Sequence, residues 1–178
     1  HSEGLSFDTI VASGENSSKP HAIPSDRKIQ KNDIITIDMG CKIKGYCSDM
    51  TRTIFVGDVP EEMKKVYELV LKNQEQVLQD MRDGANTKQI SKMVDNDFRL
   101  HNFDLIHALG HGVGLDIHEG PVLSINSEHT LKEKMIVTDE PGIYIPGQFG
   151  VRIEDTVQIF KGSCEPLTKS PKKIIVIK

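Results

Sequence analysis

Between residues 60 and 100 the apolar side chains recur at helical spacing, and on either side of that block they do not. Met63, Val66, Tyr67, Val70, Leu71, Val77, Leu78 and Met81 predict a helix from about 60 to 81 that stops by Gly84. Pro60 suits its first turn, where a missing N–H leaves nothing unpaired. A second helix follows, capped by Thr87, with Ile90, Val94 and Phe98 on its buried side, and His101-Asn102 ends it. Both flanks read as short strands. Helices set between groups of strands imply an α+β fold rather than a doubly wound parallel sheet.

Residues 7–13 read as a strand, followed by a loop rich in Gly, Asn and Ser, and His21-Ala22-Ile23-Pro24 lies in another loop. Residues 34–39 and 46–56 read as an antiparallel hairpin, with Gly40 and Gly45 flanking the connection and Gly57-Asp58 ending it. Beyond the helices, residues 104–108, 135–138, 151–160 and 173–177 read as strands, and Gly110, Gly112 and Gly114 break up the segment between the first two. No linker or tandem repeat divides the 178 residues, which suffice for one domain, 1–178, with a sizeable core. Tryptophan is absent and aromatics make up 5%, so that core is expected to be aliphatic.

A net charge of −4 gives no general attraction to nucleic acid or acidic membrane. The basic run Lys169, Lys172, Lys173 and Lys178 reads as a solvated strand edge. No apolar run is long enough to cross a membrane, and no signal peptide opens the chain. Cys41, Cys47 and Cys164 are odd in number and widely spaced, which argues against a disulfide framework or a thiolate zinc site. Free thiols point to the cytosol. His1 and Ser2 receive no role, and His101 and His129 are read as solvent-facing.

Four acids stand where core is otherwise expected. Asp38 lies near the end of one strand and Asp49 in the strand facing it, so the hairpin can bring both together. Glu140 and Glu154 interrupt the runs Met135-Ile-Val-Thr-Asp and Val151-Arg-Ile. Buried like charges are costly side by side, and divalent metals remove that cost. His111, in Leu109-Gly-His-Gly-Val-Gly, can add one nitrogen. Its glycines permit close backbone approach and positive φ, but they match neither a phosphate loop nor the dinucleotide fingerprint. One imidazole in an oxygen-rich set suits manganese, cobalt, iron or zinc more than calcium.

Taken together, Ile37-Asp-Met-Gly, Ser48-Asp-Met-Thr-Arg-Thr, His107-Ala-Leu-Gly-His-Gly-Val-Gly-Leu-Asp-Ile-His-Glu, Thr138-Asp-Glu-Pro-Gly and Gly150-Val-Arg-Ile-Glu-Asp resemble the pita-bread metallopeptidases. Methionine aminopeptidase, aminopeptidase P and prolidase belong to that family. The Ser48 phrase, His21-Ala-Ile-Pro24 and the pairing of His107 with His111 resemble the Xaa-Pro branch of aminopeptidase P and prolidase. The resemblance runs from about residue 5 to the C-terminus. It implies a curved, mostly antiparallel sheet covered by helices. It also implies that the first helices of the family domain are absent, leaving apolar sheet exposed for a second copy or a missing N-terminal segment to cover.

The resemblance further implies two divalent ions, manganese first, held by Asp38, Asp49, His111, Glu140 and Glu154. Asp49 and Glu154 are expected to bridge them, with Asp38 on one ion and His111 and Glu140 on the other. The implied reaction is hydrolysis of an N-terminal peptide bond of a small peptide, Xaa-Pro in particular, by metal-bound hydroxide. Glu140 would shuttle the proton, His21, His107 and His118 would contact substrate, and Arg152 would order a carboxylate. Two alternatives stay open: a methionine or general aminopeptidase, and an inactive peptidase-derived binding or structural domain.

Overall fold

A computed structural model describes residues 2–178, so His1 lies outside the described residues. In chain order the strands before the helices are β1 (Gly4–Leu5), β2 (Ile10–Ser13), β3 (Ile34–Met39), β4 (Cys41–Ile43), β5 (Tyr46–Cys47) and β6 (Met50–Val56). Helices α1 (Glu61–Asp80) and α2 (Thr87–Leu100) follow. The second half contributes β7 (Gly110–Gly112), β8 (Glu119–Leu123), β9 (Ile136–Asp139), β10 (Gly142–Ile145), β11 (Phe149–Arg152), β12 (Asp155–Ile159), β13 (Cys164–Pro166) and β14 (Val176–Ile177). The class is α+β.

The expectation of one curved sheet is wrong. The strands divide among four sheets, with orders β1-β4-β5, β10-β11, β13-β12-β9-β7-β8 and β14-β6-β3-β2, and each order runs from one edge strand to another without closing. Pairing is antiparallel except for β14 on β6, which makes that sheet mixed. Interruptions explain the division. Ser48-Asp49 separates β5 from β6, Glu140-Pro141 separates β9 from β10, and Ile153-Glu154 splits the expected 151–160 strand into β11 and β12.

Other local expectations also need correction. Residues 14–18 form a 3₁₀ turn rather than a loop. Pro60 is the residue before α1, not in its first turn. Asn86 rather than Thr87 caps α2, its side chain accepting from the Gln89 N–H at 3.0 Å. Residues 104–108 form no strand, because the Leu105 N–H donates to Asp95 Oδ1 of α2 instead of to a ladder. The 173–177 strand shrinks to β14.

The core sits between the helices and the strands of the second half. Val66, Tyr67, Val70 and Val77 of α1 meet Ile90, Val94 and Phe98 of α2, and these pack with Val137, Ile143, Val151 and Val157. It is mainly aliphatic, with Phe55, Tyr67, Phe98 and Phe149 as its aromatic members. Burial of such side chains contributes roughly 1.5–3 kcal/mol each. Outside that core Leu5, Ile43, Tyr46 and Leu115 are all more than half exposed. No helix of the described residues is long and apolar enough to cross a membrane.

Candidate metal centre

Strand register places the first acid. Asp38 of β3 stands opposite Thr51 in the β3–β6 ladder. Asp49, expected within the facing strand, sits one residue before β6, where Thr156 Oγ1 donates to its carbonyl at 2.8 Å. Glu140 follows β9 directly and its N–H donates to the Leu109 carbonyl at 2.8 Å. Glu154 lies between β11 and β12, with its N–H donating to the Thr51 carbonyl at 3.1 Å.

His111 is the middle residue of β7. Here the glycines do not break up the segment; they let it pack closely. A Cβ on Gly110 would lie 2.1 Å from the Thr138 carbonyl oxygen, and one on Gly112 would lie 2.2 Å from that of Gly120. Neither glycine has positive φ, so proximity alone requires them.

These elements enclose a cleft of about 680 Å³. Its wall includes Asp38, Asp49, His111, Glu140 and Glu154, and also His21, His107, His118 and Arg152. The fold therefore gathers every expected site residue. Ligand atoms of Asp49, His111 and Glu154 all lie within 4.8 Å of one another, so the three could hold a metal ion. His111 Nε2 is 3.6 Å from Asp49 Oδ2 and 3.4 Å from Glu140 Oε1. A carbonyl can only accept, so His111 Nδ1, 3.0 Å from the Gly112 oxygen, carries a proton, and burial lowers the pKa of the ring, favouring the neutral form whose Nε2 lone pair faces the acids.

Negative charge is in excess. Burial, then Asp38 and Glu140, push the Asp49 carboxyl up to about 8. Glu140 is raised well above the usual carboxylate range by burial and then Glu154, and Glu154 by burial and then Asp49. The cation that faces them is Arg152. Burial works against its charge, but Tyr144, Asp38 and Glu154 outweigh that and raise its pKa. Arg152 Nη2 donates to Asp38 Oδ2 at 2.7 Å, while Asp38 Oδ1 is buried without a partner. Burial pushes His107 down to about 4, so it is neutral near pH 7. His107 Nδ1 donates to the Ala108 carbonyl at 2.7 Å, leaving Nε2 to accept from the Tyr144 hydroxyl at 2.9 Å. Arg152 Nη1 donates to the same Tyr144 oxygen at 2.8 Å.

His21 and His118 are exposed at the wall, and the His118 ring meets that of His111 edge-on at 4.4 Å between centroids. Tyr144 is an ordering partner behind the wall, whereas Tyr46 is exposed in β5. His101 and His129 are exposed, as expected.

Sequence reasoning missed two threonines. Thr51 Oγ1 donates to Glu154 Oε2 at 2.7 Å and accepts from Arg152 Nε at 3.0 Å. Thr138 Oγ1 accepts from the His111 N–H at 3.0 Å and donates to Glu140 Oε1 at 3.2 Å. A usable signal existed. Asp49 with Thr51, and Thr138 with Glu140, stand two residues apart, the spacing that shares one face of extended chain.

A family model described as metallopeptidase family M24 matches residues 1–161. The Xaa-Pro dipeptidase of Pyrococcus furiosus is 42% identical over 175 residues, covering 97% of this chain and 50% of the relative. Among solved structures, an X-Pro aminopeptidase from Thermotoga maritima superposes with a TM-score of 0.95 at 40% identity, over 99% of this chain and 51% of that one. A prolidase from Thermococcus sibiricus gives a TM-score of 0.96 at 42% identity, over 99% and 48% respectively. The chain thus spans about half the length of these relatives.

Proposed function

We propose a function on one premise: the chain belongs to metallopeptidase family M24. It is a two-metal exopeptidase that hydrolyses the N-terminal peptide bond of small Xaa-Pro peptides. The observation that carries this reading is the gathering of four acids and one lone-pair imidazole in a single cleft. We read residues 1–178 as belonging to a single catalytic domain.

The donor set fits a pair of divalent ions. Buried carboxylates outnumber their cation, Asp38 Oδ1 lacks a partner, and His111 Nε2 is unprotonated among acids. Asp38, Asp49, His111, Glu140 and Glu154 would hold the ions, and the single nitrogen among oxygens favours manganese, then cobalt, iron or zinc. When bound, the ions supply charge neutralisation and a water acidic enough to attack at neutral pH.

The chain's own groups do the rest. Glu140 accepts the proton of the attacking water and returns it to the leaving amine, the general acid–base role open to a carboxyl on the cleft wall. His118 and His21, exposed at the wall, donate to the carbonyl oxygen as charge develops on it. Arg152, held by Thr51, Tyr144 and the Pro20 carbonyl, fixes Asp38. His107 presents a neutral ring beside the substrate. A cleft of about 680 Å³ is of the size that takes a small ligand, here a peptide of a few residues.

Three free cysteines fit a reducing compartment, and the cytosol is the one we propose. A second copy or a further segment of chain would cover the exposed side chains around Leu5 and Tyr46.

The test is a peptide panel: Ala-Pro, Ala-Pro-Ala, Met-Ala-Ser and Leu-Gly-Gly, with manganese-loaded protein. Selective cleavage before proline is expected. Preference for Met-Ala-Ser would favour the methionine aminopeptidase reading instead. Peptide binding with neither metal nor turnover would mark a non-enzymatic domain.

A further inference from the structure

Each glutamate of the centre has a buried aspartate as its chain neighbour. Asp139 precedes Glu140 and Asp155 follows Glu154, and the two aspartates are direct partners in the β9–β12 ladder. Both are essentially inaccessible to solvent. Neither lines the cleft, because adjacent residues of extended chain point to opposite faces.

Side chains from distant parts of the sequence converge on this pair. Gln74 Nε2 of α1 lies 3.0 Å from both Asp139 Oδ2 and Asp155 Oδ2. Arg52 Nη2 donates to Asp155 Oδ1 at 2.7 Å and to the Ser170 carbonyl at 2.8 Å, and Arg52 also donates to the Glu154 carbonyl. The remaining partners come from the C-terminal segment. Thr168 Oγ1 donates to Asp155 Oδ1 at 2.5 Å. Lys172 Nζ donates to Asp155 Oδ2 at 2.7 Å and to Gln74 Oε1 at 2.8 Å. The Tyr67 hydroxyl, donating to the Lys172 carbonyl at 3.0 Å, ties the segment to α1.

Lys172 is therefore no member of a solvated edge, as its charge run implies; its side chain is only 21% exposed. Lys169, by contrast, is exposed and reaches only Glu165 and the Pro166 carbonyl. The segment lies beyond residues 1–161, which the family model matches.

We propose that residues 168–172 form a clasp that positions Glu154 and Glu140 for metal, with Lys172 as the positioning residue. The inference rests on the two-metal reading above. Lys172 and Arg52 hold Asp155 from both of its oxygens, and Gln74 extends that hold to Asp139. One peptide unit links each aspartate to a donor, so a shift of either aspartate displaces a glutamate. Groups that orient metal ligands from behind typically change affinity by about 10–100-fold when removed.

The test is manganese titration calorimetry on the full chain, with folding of the chelator-treated protein checked by circular dichroism and thermal melting. Lys172→Met is expected to weaken manganese binding at least about ten-fold while staying folded. Lys172→Arg should recover part of the loss, and Lys169→Met should behave as wild type. Thr168→Val, which removes one hydroxyl hydrogen bond to Asp155 and leaves its two cations, is read alongside and should weaken binding by a smaller factor. Wild-type affinity in folded Lys172→Met overturns the clasp. So does an unfolded Lys172→Met combined with wild-type affinity in Thr168→Val. A wild-type chain that binds no manganese overturns both this inference and the metal reading beneath it.

Discussion

Stripped of metal, the chain should lose stability as pH rises, and Asp49→Asn should reverse part of that loss. Asp49 has its folded pKa raised from 3.8 to about 8, first by burial and then by Asp38 and Glu140. For a carboxyl raised on folding, the native state holds its proton more tightly than the unfolded chain does. Its favourable contribution is complete below the unfolded pKa and disappears as pH climbs through the folded value. The window here runs from about 4 to about 8. Four units at about 1.4 kcal/mol each give a loss on the order of 5 kcal/mol. That is a large share of the roughly 5–15 kcal/mol that holds a typical domain together. At about 2–4 °C per kcal/mol, the melting temperature should fall by roughly 10–20 °C between pH 4 and pH 8. Asp49→Asn removes the charge and leaves a buried amide that costs about 1–3 kcal/mol if unpaired. A net gain of about 2–4 kcal/mol over wild type is therefore expected at pH 8, and none at pH 4. The assay is thermal melting of chelator-treated protein across this pH range. A flat wild-type profile, or an Asp49→Asn protein no more stable at pH 8, would show that burial does not hold the Asp49 proton.

Glu154→Ala should keep its fold by circular dichroism but lose manganese binding and peptide hydrolysis; full activity would remove Glu154 from the centre. Gly110→Ala would place a Cβ 2.1 Å from the Thr138 carbonyl, so β7 and β9 must part. Its loss should be on the order of 3 kcal/mol in urea unfolding, and a neutral result would contradict the close approach. Asn86→Ala should lose about 1 kcal/mol from the missing α2 cap, whereas Thr87→Val should show no loss of capping; the reverse order would restore Thr87 as the cap.

Much of this was legible from residue patterns because the relevant physics is local. Periodicity alone located α1, α2 and their buried faces, including Ile90, Val94 and Phe98. Asp38 was placed correctly because the 34–39 run is an uninterrupted strand. What failed depended on long-range geometry. Asp49 falls outside its expected strand because the chain leaves the ladder at Ser48. The second half of the sheet system divides at Pro141, where proline without an N–H is itself a local signal, and at Glu154, which no local propensity reports. Lys172 read as solvated because nothing near it in sequence shows that Gln74, 98 residues away, closes over it. For Thr51 the two-residue spacing from Asp49 gives its face, but only the fold shows that the acid it serves is Glu154, 103 residues away.

Five side chains are proposed to hold two metal ions. Crystals of the manganese-loaded chain, measured on both sides of the manganese absorption edge, would locate those ions. Two anomalous peaks are expected in the cleft, with Asp38, Asp49, His111, Glu140 and Glu154 as their protein ligands. A single peak, or none among these residues in protein that has been saturated with manganese, would contradict that proposal.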